Sequence, residues 1–167
     1  MTMQSAIIYP EGYLPGETDN FVSNEVIVKG LDIAAVWEFL TNPHCWADYY
    51  ANCANVRYGQ THLAVGATFY FETFGFPVDA EVVEYTAPTD TAAGRIAWHG
   101  WAGEGASRLD VHHAWLVEKL SGNRVRILTQ ETQIGEPAKQ LAQTTPNPML
   151  NGHQMWLDSL VTAARAG

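Results

Sequence analysis

The stretch that decides the fold is NPMLNGHQMWLDSLVTAARA, residues 147–166. Within it Met149, His153, Trp156, Leu157, Leu160 and Ala164 fall at offsets i, i+4, i+7, i+8, i+11 and i+15, so all six share one helix face. Asn147 suits the cap and Pro148 the first helical position. Residues 67–133 read as strand instead. One long amphipathic helix after a run of strands predicts an α+β architecture, a curved antiparallel sheet wrapped around a C-terminal helix. A histidine in the middle of the gripping face predicts that the space between them is not wholly apolar. What occupies that space becomes the question of function.

Working upstream, strands are expected at residues 52–58, 67–74, 78–85, 94–101, 108–119 and 123–133. Turn chemistry separates them at Gly66, Gly75-Phe76-Pro77, Pro88-Thr89-Asp90, Gly103 with Gly105, and Ser121-Gly122-Asn123. Short connectors imply antiparallel neighbours. Gly135-Glu136-Pro137 ends the sheet, and a short helix is expected at 138–143. Near the N-terminus, residues 23–29 alternate as a strand. Asp32 then caps a helix carrying Ile33, Val36, Trp37 and Leu40, and Asn42-Pro43 starts a second short helix through Tyr50. Residues 1–22 are broken at Pro10-Glu11-Gly12 and Pro15-Gly16. They read as an N-terminal arm with a short strand at 4–9 that covers a sheet edge, followed by one domain over 23–167.

The chain has 167 residues, 47% of them hydrophobic and 16% charged, enough for one domain with a sizeable core. Its net charge of -9 repels nucleic-acid backbones and anionic membranes, so neither is an expected partner. The apolar runs are too short to span a bilayer. The N-terminus has no basic n-region or apolar h-region, which predicts a cytoplasmic protein with Cys45 and Cys53 as reduced structural thiols.

Strand alternation assigns the concave face. Val125, Ile127, Thr129, Glu131 and Gln133 point inward, because Arg124 and Arg126 on the alternate positions belong in water. Leu109, Val111, His113, Trp115 and Val117 do the same on the strand before. Ile96 and Trp98 point in, His99 and Trp101 out. The interior therefore gains His113, Thr129, Glu131 and His153 among apolar residues. A buried charge is costly unless paired, so Glu131 is protonated, paired with a histidine, or facing water. A carboxyl beside an imidazole is an acid–base pair in kind, and equally a common structural hydrogen bond. Tyr49 either rims a cavity mouth or packs on the surface. The candidate catalytic residues are His153, Glu131, His113 and Tyr49. The candidate ligand-binding residues are Trp98, Trp115, Trp156, Met149, Thr129, Phe71 and Leu160. His112 and His113 are adjacent on a strand and face opposite ways, so no metal site is expected. Ser107 and Ser121 lack a GxSxG context, and no phosphate or dinucleotide glycine loop appears, so no cofactor is expected either.

Several segments carry a resemblance: Asn24-Glu25-Val26-Ile27-Val28, Ala35-Val36-Trp37, Trp46-Ala47-Asp48-Tyr49-Tyr50, Thr73-Phe74-Gly75, Arg95-Ile96-Ala97-Trp98, His113-Ala114-Trp115-Leu116 and Gln130-Glu131-Thr132-Gln133-Ile134-Gly135. Over residues 23–166 the chain resembles the START-like helix-grip superfamily (SRPBCC), and within it the polyketide cyclase/dehydrase-like proteins. That resemblance implies a deep cavity between sheet and helix, and a small, mostly hydrophobic ligand such as a polyketide, a lipid or an aromatic metabolite. The superfamily shares no catalytic motif, so no catalytic residue transfers to this chain. Two functions are expected from different classes. In the first, the cavity binds such a ligand and, if it does chemistry, acts as a lyase or isomerase by proton-transfer cyclisation or dehydration. His153 or Glu131 would be the base and Tyr49 or His113 would polarise a carbonyl. In the second, the protein is a non-catalytic interaction module of co-chaperone or stress-response type. Its six tryptophans and six phenylalanines would then fill the cavity, and its acidic surface would meet a basic partner. The faces carrying Trp101 and Tyr58 are candidate homodimer surfaces.

Overall fold

A computed structural model describes residues 4–167. Seven antiparallel strands form one sheet: β1 (Asn20–Lys29), β2 (Cys53–Arg57), β3 (Thr68–Thr73), β4 (Phe76–Thr86), β5 (Gly94–Ala102), β6 (Leu109–Leu120) and β7 (Arg124–Ile134). Their spatial order is β1-β7-β6-β5-β4-β3-β2, so the first and last strands are neighbours. The helices are α1 (Ile33–Thr41), α2 (Trp46–Tyr49), α3 (Glu136–Gln143) and α4 (Pro148–Ala166). This is the helix-grip architecture. Register irregularities at Val82/Glu84 and Ala54/Arg57 are bulges, which increase local twist and bend the sheet around α4.

The caps form as the sequence implies. Asp32 accepts from the Ala34 amide at 3.0 Å, Asn42 from His44 at 3.2 Å and Asn147 from Met149 at 3.0 Å. The segment after Asn42 is a 3-10 turn over Pro43–Cys45 that runs into α2. Between β7 and α3 the chain needs glycine. Gly135 has φ +126, and a Cβ there would stand 2.2 Å from the Arg108 carbonyl oxygen.

The inward faces are as alternation assigned them, and aromatic rings fill one end of the groove. Trp46 stacks on Trp98 at 5.4 Å and meets Trp156 edge-on at 5.1 Å. Its indole nitrogen donates to the Leu40 carbonyl at 3.0 Å. Trp115 packs on Trp156 at 5.1 Å. Where α1 and α2 close the sheet, the space is therefore solid core.

Two expectations for the arm and outer face are corrected. Residues 4–9 form no strand, and the arm crosses the outer face of the sheet instead of covering an edge. Arg126 donates to the Ser5 carbonyl at 2.9 Å and Arg95 to the Ala6 carbonyl at 2.7 Å. The Tyr9 hydroxyl donates to Gln130, and the rings of Tyr9 and Tyr13 lie 5.7 and 6.2 Å from His112. Arg126 is consequently buried, held by Glu25 at 2.6 Å and Glu118 at 2.7 Å. Alternation put it on the right face, but the arm and two carboxylates replace the water it was assigned.

Candidate functional site

Cross-strand register brings the first two polar residues together: His113 on β6 lies directly opposite Glu131 on β7. The buried stripe of α4 adds His153 from above. The His113 Nδ1 atom is 3.5 Å from Glu131 Oε1, and His153 Nε2 is 3.9 Å from Glu131 Oε2. The two imidazoles stack at 4.5 Å with 12° between their planes.

Neighbouring hydrogen bonds fix where the protons sit. The Thr129 hydroxyl donates to the Ala114 carbonyl at 3.0 Å, so it must accept from His113 Nε2 at 2.9 Å. The lone pair of His113 is then on Nδ1, facing Glu131. On the other side runs a chain of amides. Asn147 Oδ1 is engaged as the α4 cap, so its Nδ2 donates to Asn20 Oδ1 at 2.9 Å. Asn20 Nδ2 in turn donates to Gln133 Oε1 at 2.7 Å, and Gln133 Nε2 donates to Glu131 Oε2 at 2.5 Å. Each amide orientation follows from the one before. Oε2 is thus an acceptor, and an acid proton belongs on Oε1, towards His113.

The electrostatics agree. Burial pushes the Glu131 carboxyl up to about 8, with the Gln133 hydrogen bond opposing. Burial pushes His153 down to about 4. Burial also holds His113 well below the usual imidazole range, helped by His153 and His112. At neutral pH the site is a carboxylic acid beside two neutral imidazoles. The 3.5 Å separation is long for a hydrogen bond, yet a small side-chain adjustment closes it. The three groups each offer one ligand atom within 4.8 Å of the others. Stacked rings, however, hold their in-plane lone pairs in nearly parallel planes that do not meet at one point between them, so one ring would have to turn before both could ligate one ion. The arrangement as it stands suits a proton.

These groups line a cavity whose other walls include Phe71, Thr73, Phe74, Phe76, Val78, Trp98, Leu109, Val111, Met149 and Trp156. The space open to the centre of a water-sized sphere is about 30 Å³. That is room for about two waters. His153 Nδ1 is buried without a partner, and the Thr73 hydroxyl lies beside the Tyr50 hydroxyl.

Of the residues expected from sequence, His153, Glu131, His113, Trp98, Trp156, Met149 and Phe71 meet at this cavity. Tyr49 does not. Its hydroxyl donates to the Phe39 carbonyl at 3.1 Å and accepts from Trp156 Nε1 at 3.1 Å, pinning α2 to α1 and α4. Trp115 and Leu160 belong to the solid core, and Thr129 sits behind His113 as its hydrogen-bond partner. Tyr50 is buried beside it, stacked on Trp156 at 4.6 Å with its hydroxyl donating to the Gly152 carbonyl at 3.3 Å. Sequence reasoning missed Asn20, Asn147, Thr73 and Phe74.

A hypothetical protein of Helicobacter pylori, jhp0584, known from a 1.88 Å crystal structure, is 54% identical to this chain over 99% of both, with a TM-score of 0.93. The chain belongs to the jhp0584 family. More distant structures share only the fold with it. The di-domain ARO/CYC protein BexL of the BE-7585A biosynthetic pathway has a TM-score of 0.62 at 10% identity, covering 87% of this chain and 46% of BexL. Truncated norcoclaurine synthase from Thalictrum flavum has a TM-score of 0.59 at 10% identity, covering 86% and 91%. The jhp0584-family chain thus spans about half the length of BexL. No family model matches the chain, and no curated protein does. Among the described residues, no helix is long and apolar enough to cross a membrane.

Proposed function

We propose that the chain binds a small, mostly hydrophobic molecule between the sheet and α4 and moves a proton on it, in an enolisation leading to cyclisation or dehydration of a keto compound. One observation carries this reading: the buried Glu131 carboxyl, with no Lys or Arg beside it, facing the stacked imidazoles of His113 and His153 on the wall of an otherwise apolar cavity. Apolar pockets with a few convergent polar groups are how such sites are built. In the proposed step, neutral His153 takes the proton from the carbon next to the ligand carbonyl. Glu131 Oε1 gives its proton to the carbonyl oxygen as the enol forms. The imidazolium and carboxylate left behind stabilise each other, and proton return from one to the other resets the site. Each group of this kind contributes ~10²–10⁴-fold. The fold relatives named as an ARO/CYC protein and a synthase are in keeping with this use of the fold.

Proton NMR in D₂O with acetophenone as probe ketone tests the reading. The wild type is expected to accelerate deuterium exchange at the methyl carbon, while Glu131→Gln and His153→Gln lose the acceleration. Exchange at the buffer rate with wild-type protein would reject it. The small cavity favours a second reading, a non-catalytic interaction module with a packed interior. That reading expects no exchange and no small molecule retained by freshly purified protein in native mass spectrometry.

A further inference from the structure

We propose that the Phe74 ring is the door of this cavity and its size filter, and that the ligand is a single-ring compound bearing one carbonyl or phenolic oxygen. This rests on the ligand-binding reading above. The β3–β4 hairpin closes with the pair Thr73 and Phe76, leaving Phe74 and Gly75 as a two-residue turn. Both have left-handed backbones, φ +52 and +76, the pattern of a type I′ turn. Glycine adopts that conformation freely, whereas a bulky aromatic rarely does. Here the turn aims the Phe74 ring back at α4, where residue 152 has no side chain. A Cβ at Gly152 would stand 1.9 Å from Phe74 Cζ and 2.3 Å from Cε1. The ring is seated in that notch, edge-on to His153 at 6.4 Å. The hairpin tip therefore covers the cavity beside its acid–base groups.

Size identifies what the ring stands in for. With Phe74 in place the cavity has about 30 Å³, against about 150 Å³ for a dry protein cavity that accepts benzene. No ring fits until this one leaves, and its departure frees the room of one ring. The two turn residues are the hinge, since the paired strands on either side stay in register. An oxygen on the incoming ring meets the Thr73 hydroxyl and the Glu131 acid on the same wall.

The test titrates three probes by calorimetry into wild type, Phe74→Ala and Gly152→Ala. The probes are acetophenone, ethylbenzene (the same outline without the oxygen) and 2-acetonaphthone (two rings). Wild type is expected to bind acetophenone, to bind ethylbenzene about tenfold more weakly, and to reject 2-acetonaphthone. Phe74→Ala is expected to admit 2-acetonaphthone. Gly152→Ala is expected to do the same with every other side chain intact, because its methyl fills the notch and displaces the ring. Circular dichroism verifies folding, and Gly152→Ala decides the matter if Phe74→Ala does not fold. If wild type and the folded variants bind 2-acetonaphthone alike, or a folded variant binds acetophenone but still excludes it, the door is refuted and ligand binding stands. If no folded variant binds any probe, the ligand-binding reading falls with it.

Discussion

Replacing Glu131 with glutamine should make the protein more stable and inactive at once. The carboxyl is 5% exposed and has no Lys or Arg partner, and burial raises it from an ordinary 4.5 to about 8. Between those two values the native state holds a proton that the unfolded chain has released. Stability therefore falls as pH rises, by about 1.4 kcal/mol per pH unit. From pH 4.5 to pH 7 the accumulated cost is roughly 3 kcal/mol, levelling near 5 kcal/mol above pH 8. Glutamine reproduces the neutral acid without this cost. Its carbonyl accepts from Gln133, and its amide N–H faces the His113 lone pair. The titratable groups facing it, His113, His153 and Tyr50, are present in both proteins, so their own titrations largely subtract. Urea unfolding at pH 5, 6, 7 and 8 should show near-equal stabilities at pH 5 and a gap of roughly 3 kcal/mol favouring Glu131→Gln at pH 7. A gap that does not change with pH would refute the reasoning. So would a wild type that is the more stable protein at pH 8, since the carboxyl would then be an ionised partner of an imidazolium.

Other perturbations separate the supporting groups. Asn147→Ala removes the α4 cap and the origin of the amide chain, and should lower stability by about 1–2 kcal/mol in urea unfolding. An unchanged midpoint would show that the cap is dispensable. Thr129→Val leaves the His113 Nε2 proton without an acceptor in a dry interior and should cost about 1–3 kcal/mol by the same measurement. Removing residues 1–18 uncovers His112, which burial pushes down to about 4. Its NMR titration should move up towards 6.5, whereas a midpoint still near 4 would mean that the sheet alone dries this face.

The residues that sequence placed correctly are those governed by a long period. Ten or more residues of alternation fix which face of β6 or β7 a side chain takes, so His113 and Glu131 were legible as inward. The stripe on α4 did the same for His153. Tyr49 and Tyr50 were not separable, because α2 has only four residues and one position turns a helical side chain by about 100°. Arg126 shows a different limit: alternation names the face but not what lies over it. The amide chain was invisible for a third reason. Asn20 and Gln133 are 113 residues apart, and only the pairing of the first strand with the last brings them together. The β3–β4 turn was displaced by one residue in the sequence reading, since phenylalanine gives no turn signal.

Adjacency of β1 and β7 makes the site depend on the closure of the whole chain. The groups that orient Glu131 come from positions 20, 133 and 147, so the carboxyl is held only after the two ends of the chain have been sewn together. Contacts this distant in sequence must first meet the entropy of closing a long loop, which slows their formation. Until that seam shuts, water reaches Glu131, the carboxyl ionises at ordinary pH, and the proton it would deliver is gone. In a half-made chain, or a native one whose seam frays, the carboxyl returns to an ordinary acidity, so the acidity of this single side chain reports whether the molecule is whole.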